Sequence, residues 1–421
     1  MSLLLNKMRL LISLSLFVIL YTSSSFATSF YSSKYLGLQS HFTSGQGMGM
    51  GGLGIALIDD RSLNLLNPAT LIPGGITRLS ANFIAETISM QNSLGNGRSN
   101  YLNANGLQFL IPFGQIATLS GGIAPMFLAD YEYMQAEGNG ASAYQSSIQG
   151  KGSLNRAFLS LFWNVSNLVY LSGRLNYNFG KYDEKWRVDF YNDLYHDTSD
   201  ILSTHYNGIN FTYGIFFNGM KNLKLGLVLT TPVKLKAKSS RTYNFRVKTE
   251  SEFYEWGSTD FESKHVKLPY AWGGGVSYYL KNKWIFGIDY HAQPWSKYEV
   301  DGRKGANDLK ESYRISIGCQ YQHSRDPFEK YYKHIPLRLG FYYRNLYFSY
   351  GNSLNNTHNI IEYAGTIGVG LPFYFYLGRL DLALIVGKRG SLEKNPVEEN
   401  IVNLMITITG GEKWFVRSRK N

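Results

Sequence analysis

The sequence predicts an all-β fold: a transmembrane antiparallel β-barrel of about 14 strands, with a small N-terminal α-helical hatch inside the lumen. Three observations carry this expectation. An export segment opens the chain, most of the rest alternates apolar and polar residues with period two, and the connections between strands alternate in length. Composition agrees, with 32 Tyr, 25 Phe, 7 Trp and 43 Gly in 421 residues. Tyr and Trp suit lipid–water boundaries because they join an apolar body to a polar tip.

The first element is a leader, expected at 1–27. Lys7 and Arg9 precede an apolar run at 10–21, and Ser25 and Ala27 supply the small-x-small pattern of a cleavage site after Ala27. The run is too short for a membrane helix, which needs about 20 apolar residues. Cys319 is the only cysteine, far from the leader, so neither a lipid-anchored N-terminus nor an internal disulfide follows.

The second element, 28–76, does not alternate and is expected to be the hatch. Its centre at 45–54 is glycine-rich, with Gly47, Gly49 and Gly51, and is followed by the acidic pair Asp59 and Asp60. Gly47, Gly49 and Gly52 spell GxGxxG, but no strand precedes them and no βαβ unit surrounds them. Tight packing in a crowded lumen explains them better than nucleotide binding. Asn67-Pro68-Ala69 predicts a helix start, with Asn67 as N-cap and Pro68 at the first helical position.

The third element, 77–410, is the barrel. Strands are expected near 77–90, 100–112, 116–130, 150–163, 168–186, 204–218 and 223–238, then 265–279, 284–298, 310–323, 336–349, 361–373, 379–389 and 399–410. In the run Tyr313-Arg314-Ile315-Ser316-Ile317, odd positions are greasy and even ones small or polar, so one face suits lipid and the other a lumen. The lumen face carries Arg174, Asp289, His291, Arg314, Arg338 and Arg344. Long connections are expected at 131–149, 187–203 and 239–264. The 324–335 connection is longer than its short-turn side predicts. A basic tail, 411–421, ends the chain.

The formal charge of +12 is spread along the chain without a Lys/Arg block or a nucleic-acid motif, so no nucleic-acid partner is expected. There is no GxSxG, no HExxH and no short metal-ligand spacing among the histidines, which are expected at the surface or girdle. No enzyme, cofactor or metal is expected.

Ordered motifs along the chain resemble the FadL/TodX (OmpP1) family of outer-membrane transporters for hydrophobic compounds. They include GMGMGGLGIALIDD at 47–60, NPATL at 67–71, IPFG at 111–114, TPVKLK at 231–236 and LPYAWGGGVSYYL at 268–280. FGIDYHAQPWSKYE at 286–299, IPLRLGFYY at 335–343 and GLPFYFYLGRLDLAL at 370–384 continue the series. The resemblance implies a 14-stranded barrel with an N-terminal hatch. It implies passive passage of a hydrophobic small molecule, such as a long-chain fatty acid, across the cell outer membrane. Capture would occur in a groove of the third and fourth outer loops, and release through the hatch and a lateral opening at a kink in the third strand. Onto this chain it maps the groove to Phe190, Tyr191, Leu194 and Tyr195 with Tyr243, Phe245, Phe253, Tyr254 and Trp256. Many exposed rings either pack together or bind something. The wall kink falls on Gly121, Gly122 and Pro125, where a proline lacks a ladder donor and glycines weaken the strand. The lumen arginines could pair with a fatty-acid carboxylate or with neighbouring acids. Outer-membrane lipid is the expected surroundings. A related branch of FadL-like barrels serves as shuttles or anchors in protein secretion, and under that alternative the partner is a protein. A general porin is disfavoured by the expected plug.

Overall fold

The structure, a computed structural model, describes residues 29–41, 43–58, 63–72, 75–93, 95–140, 143–247, 251–281, 283–326, 328–351, 357–373 and 377–413. The expected leader, Asp59, Asp60 and the tail beyond 413 lie outside the described residues.

Fourteen antiparallel strands close into a barrel. They are β1 (Thr77–Gln91), β2 (Asn96–Phe113), β3 (Ala117–Glu137), β4 (Tyr144–Ser166), β5 (Val169–Phe190), β6 (Asp197–Phe217) and β7 (Leu223–Thr230, continued by Val233–Arg246). Then come β8 (Tyr254–Asp260, Lys264–Leu268 and Ala271–Leu280), β9 (Trp284–Gln293), β10 (Ser312–Tyr321), β11 (Leu337–Gly351), β12 (Thr357–Phe373), β13 (Gly378–Arg389) and β14 (Glu398–Glu412). β14 pairs back on β1 from Thr77↔Glu412 to Gln91↔Glu398. Closure satisfies backbone groups that hydrocarbon cannot.

Alternation sorts the two faces. On β10, Arg314, Ser316 and Gln320 are buried inside while Ile315 and Ile317 stand outside, and β4 shows Leu159, Leu161 and Trp163 outside with Phe158, Ser160 and Phe162 buried. The outer apolar band is a lipid-facing surface. About ten residues cross a bilayer core, yet β4 has 23 and β6 has 21. The excess projects at the end opposite the barrel termini, here called the loop end.

That projection corrects the expected long loops. The connections shrink to 138–143, 191–196 and 247–253 because β3 to β8 continue as paired hairpins. Above the lipid band a strand has no lipid face, so the alternation that marks it in sequence disappears while the ladder persists. The expected strand at 284–298 stops at Gln293, since Pro294 has no amide to donate. The 294–311 segment folds inward instead. Trp295 is fully buried and stacks on Tyr347 at 4.0 Å between centroids, beside Phe127. With Tyr31, Leu36, Leu309 and Phe348 they form an apolar core at the loop end. At the opposite, turn end, the long connection before β11 is a folded turn around a 3₁₀ segment, Tyr331–His334. Gln322 Nε2 donates to the His334 carbonyl at 3.2 Å.

The described residues between 29 and 72 run through the lumen. Their helical content is one α-turn, α1 (Gly45–Gly49), and 3₁₀ turns at Phe30–Ser33 and Pro68–Thr70. The small α-helical hatch expected from the sequence is thus reduced, among the described residues, to one short α-turn, because glycine costs about 1 kcal/mol per helical position relative to alanine. The plug backbone lies against glycines of the wall. A Cβ at Gly340 would sit 2.1 Å from the Gly51 nitrogen, and one at Gly226 would sit 2.0 Å from the Ile55 oxygen. Gly51 itself has φ +77°, a conformation that favours glycine.

Candidate functional site

The wall divides between β2 and β3. The two pair only from Phe113↔Ala117 to Leu107↔Ile123. Beyond that level β2 stays with β1 up to Gln91↔Asn96, and β3 stays with β4 up to Glu137↔Tyr144. Each strand carries an irregularity where they part. On β2 the register skips Asn105, between Gly106↔Asn82 and Ala104↔Phe83. On β3 it skips Met126, between Pro125↔Asn155 and Phe127↔Leu154. A bulge bends its strand and increases the local twist. Pro125 adds a missing donor at the point of departure. Gly121 and Gly122 lie just below, still paired to Phe109 and Gln108. A Cβ on Gly121 would meet the Phe109 ring at 2.6 Å.

The edge that β3 frees is taken by the plug. Leu38 and Gln39 pair with Leu128 and Phe127, and the Ser40 amide donates to the Met126 carbonyl at 2.8 Å. The facing edge of β2, from Asn96 to Gly106, has no strand beside it among the described residues.

Behind the gap lies a cavity of about 810 Å³. Asn100, Asn103 and Asn105 of β2 line it with Leu102, Leu107, Ile123, Pro125 and Leu128. A second cavity of about 370 Å³ sits at the loop end of the gap, lined by Phe30, Met90, Tyr131 and Tyr133. A third, of about 140 Å³, lies deeper and shares Gln39, His41, Pro125, Arg314 and Arg344 with the first.

The deep chamber concentrates positive charge. Arg156, Arg174, Arg314 and Arg344 line it, and no carboxylate does among the described residues. Arg344 is neutralised from behind by Glu362 at 2.5 Å. The other three form no salt bridge among the described residues, although the Glu362 charge also acts on Arg314. Arg174 donates to Ser160 Oγ (2.9 Å) and the Leu65 carbonyl (2.6 Å), leaving its buried Nη2 without a partner. Arg314 donates to Ser316 Oγ at 3.2 Å and the Gly51 carbonyl at 3.1 Å, and lies 3.7 Å over the Tyr342 ring. Among the described residues Arg156 donates only to Asn178 Oδ1, at 3.4 Å. His41 and His291 face the same space, 6.2 Å apart, rather than the surface or girdle, and His334 is buried too. Burial, with Arg314 and His291 nearby, holds the His41 imidazole well below its ordinary pKa, so it stays neutral. Unpaired buried guanidinium is costly, so this chamber suits an anion.

Below, polar groups fasten the plug. Asp289 accepts the Gly54 and Ile55 amides at 2.7 and 2.8 Å. Asn67 caps the Pro68–Thr70 turn through the Ala69 amide, and its Nδ2 donates to the Ile55 carbonyl at 2.8 Å. Gly45 donates to Thr407 and Gly51 to Thr366. Gly47 and Gly49 are buried within α1. Arg338 forms a buried ion pair with Asp381 at 2.7 Å and does not line the three cavities described. Of the lumen set the sequence suggested, Arg174, Arg314 and Arg344 therefore meet in one chamber, while Asp289 and Arg338 serve the plug and the wall.

The expected groove residues sit on the projecting hairpins and turns. Phe190, Tyr243, Phe245, Tyr254 and Trp256 are strand residues, not loop residues. Tyr243 packs on Trp256 (5.5 Å), Phe245 on Tyr254 (6.1 Å) and Phe190 on Tyr195 (5.1 Å). Phe253 lies under Arg187 and Arg246 at 5.0 and 5.2 Å. Tyr191 and Leu194 are exposed at the turn. None of them lines the cavities described above. Sequence reasoning missed Arg156, His41 and the aromatic core on Trp295 and Tyr347. Arg156 was legible, because it shares the inward parity of Phe158 and Ser160. His41 was not, because the plug has no period.

A family model described as BamG matches residues 5–421. No curated protein matches the sequence. Among solved structures, the CymD monoaromatic hydrocarbon channel superposes with TM-score 0.58 at 14% identity, over 88% of this chain and 97% of that one. The Ralstonia pickettii toluene transporter TbuX gives 0.58 at 15%, over 87% and 97%. A Pseudomonas aeruginosa FadL homologue gives 0.58 at 10%, over 89% and 99%. At these identities the likeness establishes a shared fold.

Proposed function

The chain belongs to the BamG family, and from that premise and the geometry of its wall we propose that it is an outer-membrane channel for hydrophobic compounds with an anionic head, long-chain fatty acids foremost. The loop end faces outward and the turn end inward, as in barrels whose short turns are periplasmic. The single observation that carries this reading is the parting of β2 from β3 over a cavity that reaches the arginine chamber. A molecule enters the aromatic cavity at Phe30, Met90, Tyr131 and Tyr133. Its tail lies along Leu102, Ile123 and Leu128, and its carboxylate meets Arg174 and Arg314. Movement of the plug, or sliding through the wall gap, completes passage without an energy source. The exposed rings of the β5–β8 hairpins collect substrate from outside. The solved structures described as toluene and hydrocarbon channels support a hydrophobic cargo. The unpaired arginines add the anionic head.

The test is uptake of labelled oleate and labelled toluene by cells carrying or lacking the gene. The channel reading expects oleate uptake to fall in the deletion strain and to return with the wild-type gene. Unchanged uptake of every apolar substrate tried sinks it.

One observation favours a second reading, a barrel that docks a polypeptide in secretion. Among the described residues, the edge of β2 from Asn96 to Gly106 has no strand beside it and is lined by asparagines, which suits a peptide backbone as well as a lipid. Recovery of a stable protein partner with intact apolar uptake would favour it.

A further inference from the structure

β7 carries a charge pattern that the channel does not use. In its second half Val233, Leu235 and Ala237 are buried inside, while Lys234, Lys236 and Lys238 alternate with them and stand exposed on the outer wall. None of the three lysines has a carboxylate partner among the described residues, and 233–246 contains no acid. The neighbouring strands extend the same outward face. Lys236 lies across from Asn207 on β6 and from His265 on β8, and Lys238 across from His205. Lys234 lies across from Lys267, whose charge is met by Glu299 at 3.0 Å, and His205 lies across from Lys181, which is met by Asp183 at 2.8 Å. The flanks are thus neutralised and the centre is not.

Height along the wall gives this patch its meaning. Immediately toward the turn end the outer face is hydrocarbon-facing: Ile209, Leu229 and Trp272 are 58%, 47% and 44% exposed. The lysines begin where that band ends. Their charges rise along one strand at about 7 Å per step, since same-face residues are two apart. Lysine stems snorkel toward the head-group layer while their ammonium groups seek anions. The layer at that height holds the phosphates of membrane lipids, and a basic face against a bilayer surface binds anionic lipid.

We propose that the outer face of β7, through Lys234, Lys236 and Lys238, binds the phosphorylated head group of an outer-leaflet glycolipid. The site is outside the barrel, so it is separate from the cavities. It rests on the outer-membrane placement and loop-end-outward orientation proposed above, but not on transport.

The test uses the full-length mature chain, purified in mild detergent and stripped of lipid. Phosphorylated lipid A, its dephosphorylated form and inorganic phosphate are titrated in turn, with bound lipid counted by native mass spectrometry. The wild-type chain is expected to retain the phosphorylated glycolipid. The Lys234→Gln/Lys236→Gln/Lys238→Gln variant is expected to lose affinity roughly tenfold to a hundredfold. A Lys221→Gln/Lys283→Gln control at the turn end is expected to match wild type. Heat-modifiable migration on gels reports folding, and Lys236→Gln alone replaces the triple variant if that fails to fold. Equal retention by variant and wild type overturns the proposal, as does equal affinity for the dephosphorylated glycolipid or binding of inorganic phosphate in its place. Cell fractionation reads the membrane placement, and oleate uptake by the triple variant reads transport, so failure of either is distinguished from failure of the lipid site.

Discussion

Leu38 of the N-terminal segment pairs with Leu128 on the very edge of β3 that β2 has left. The plug therefore seals half of the split in the wall with backbone hydrogen bonds, and the free edge of β2 forms the other side. Any motion that widens the route must break or carry along this short ladder.

Locking that ladder is the first prediction. Opposed residues of an antiparallel pair have Cα atoms about 4.5–5.5 Å apart, inside the range a disulfide spans. A Leu38→Cys/Leu128→Cys pair in a Cys319→Ser background is expected to oxidise and to slow oleate uptake at least severalfold, with recovery on reduction. Uptake that ignores reductant would mean that this pairing does not gate passage.

The arginine chamber gives the second. Arg174 and Arg314 form no salt bridge among the described residues, and an ionic hydrogen bond is worth about 1.5–3 kcal/mol. Arg174→Gln and Arg314→Gln are each expected to weaken binding of a fatty acid to the purified barrel by roughly 10- to 100-fold. Binding of toluene, which has no head group, should hold. Calorimetry with both ligands separates the two, and equal loss of both would count against head-group recognition.

The third concerns the plug anchor. Asp289→Ala leaves the Gly54 and Ile55 amides buried without an acceptor, at about 1–3 kcal/mol each. The plug should loosen, and planar-bilayer recordings should show transient openings that wild type lacks. Asp289→Asn, which keeps an acceptor oxygen, should lie in between. A variant as silent as wild type would show that the wall glycines hold the plug unaided.

Those glycines supply the fourth. Gly340→Val puts side-chain carbons where the Gly51 backbone already lies, 2.1 Å from the Cβ position. Gly365, one strand over and across from Phe341, has nothing within 4 Å of its Cβ position. Gly340→Val should therefore expose the plug to added protease in folded, heat-modifiable barrels, whereas Gly365→Val should protect it as wild type does.

The alternation of Tyr313, Arg314, Ile315, Ser316 and Ile317 determined by itself that a strand lies there and which side meets lipid. A two-sided environment writes itself into every second residue. The same holds for the barrel class, for the inward parity of the arginines, and for the missing ladder donor at Pro125, since an absent amide is a property of the residue alone. Three things were decided only in the folded molecule. The hairpins of Phe190, Tyr243 and Trp256 extend past the membrane, where both faces meet water and no alternation marks them. The N-terminal segment fills the lumen without periodicity, so its partners, Asp289 for Gly54 and Leu128 for Leu38, depend on which wall residues the closed barrel carries to it. The chamber itself gathers Arg156 of β4, Arg174 of β5, Arg314 of β10 and His41 of the plug. Closure brings these distant stretches across one lumen, and their gathering into one chamber exists only once the barrel is shut.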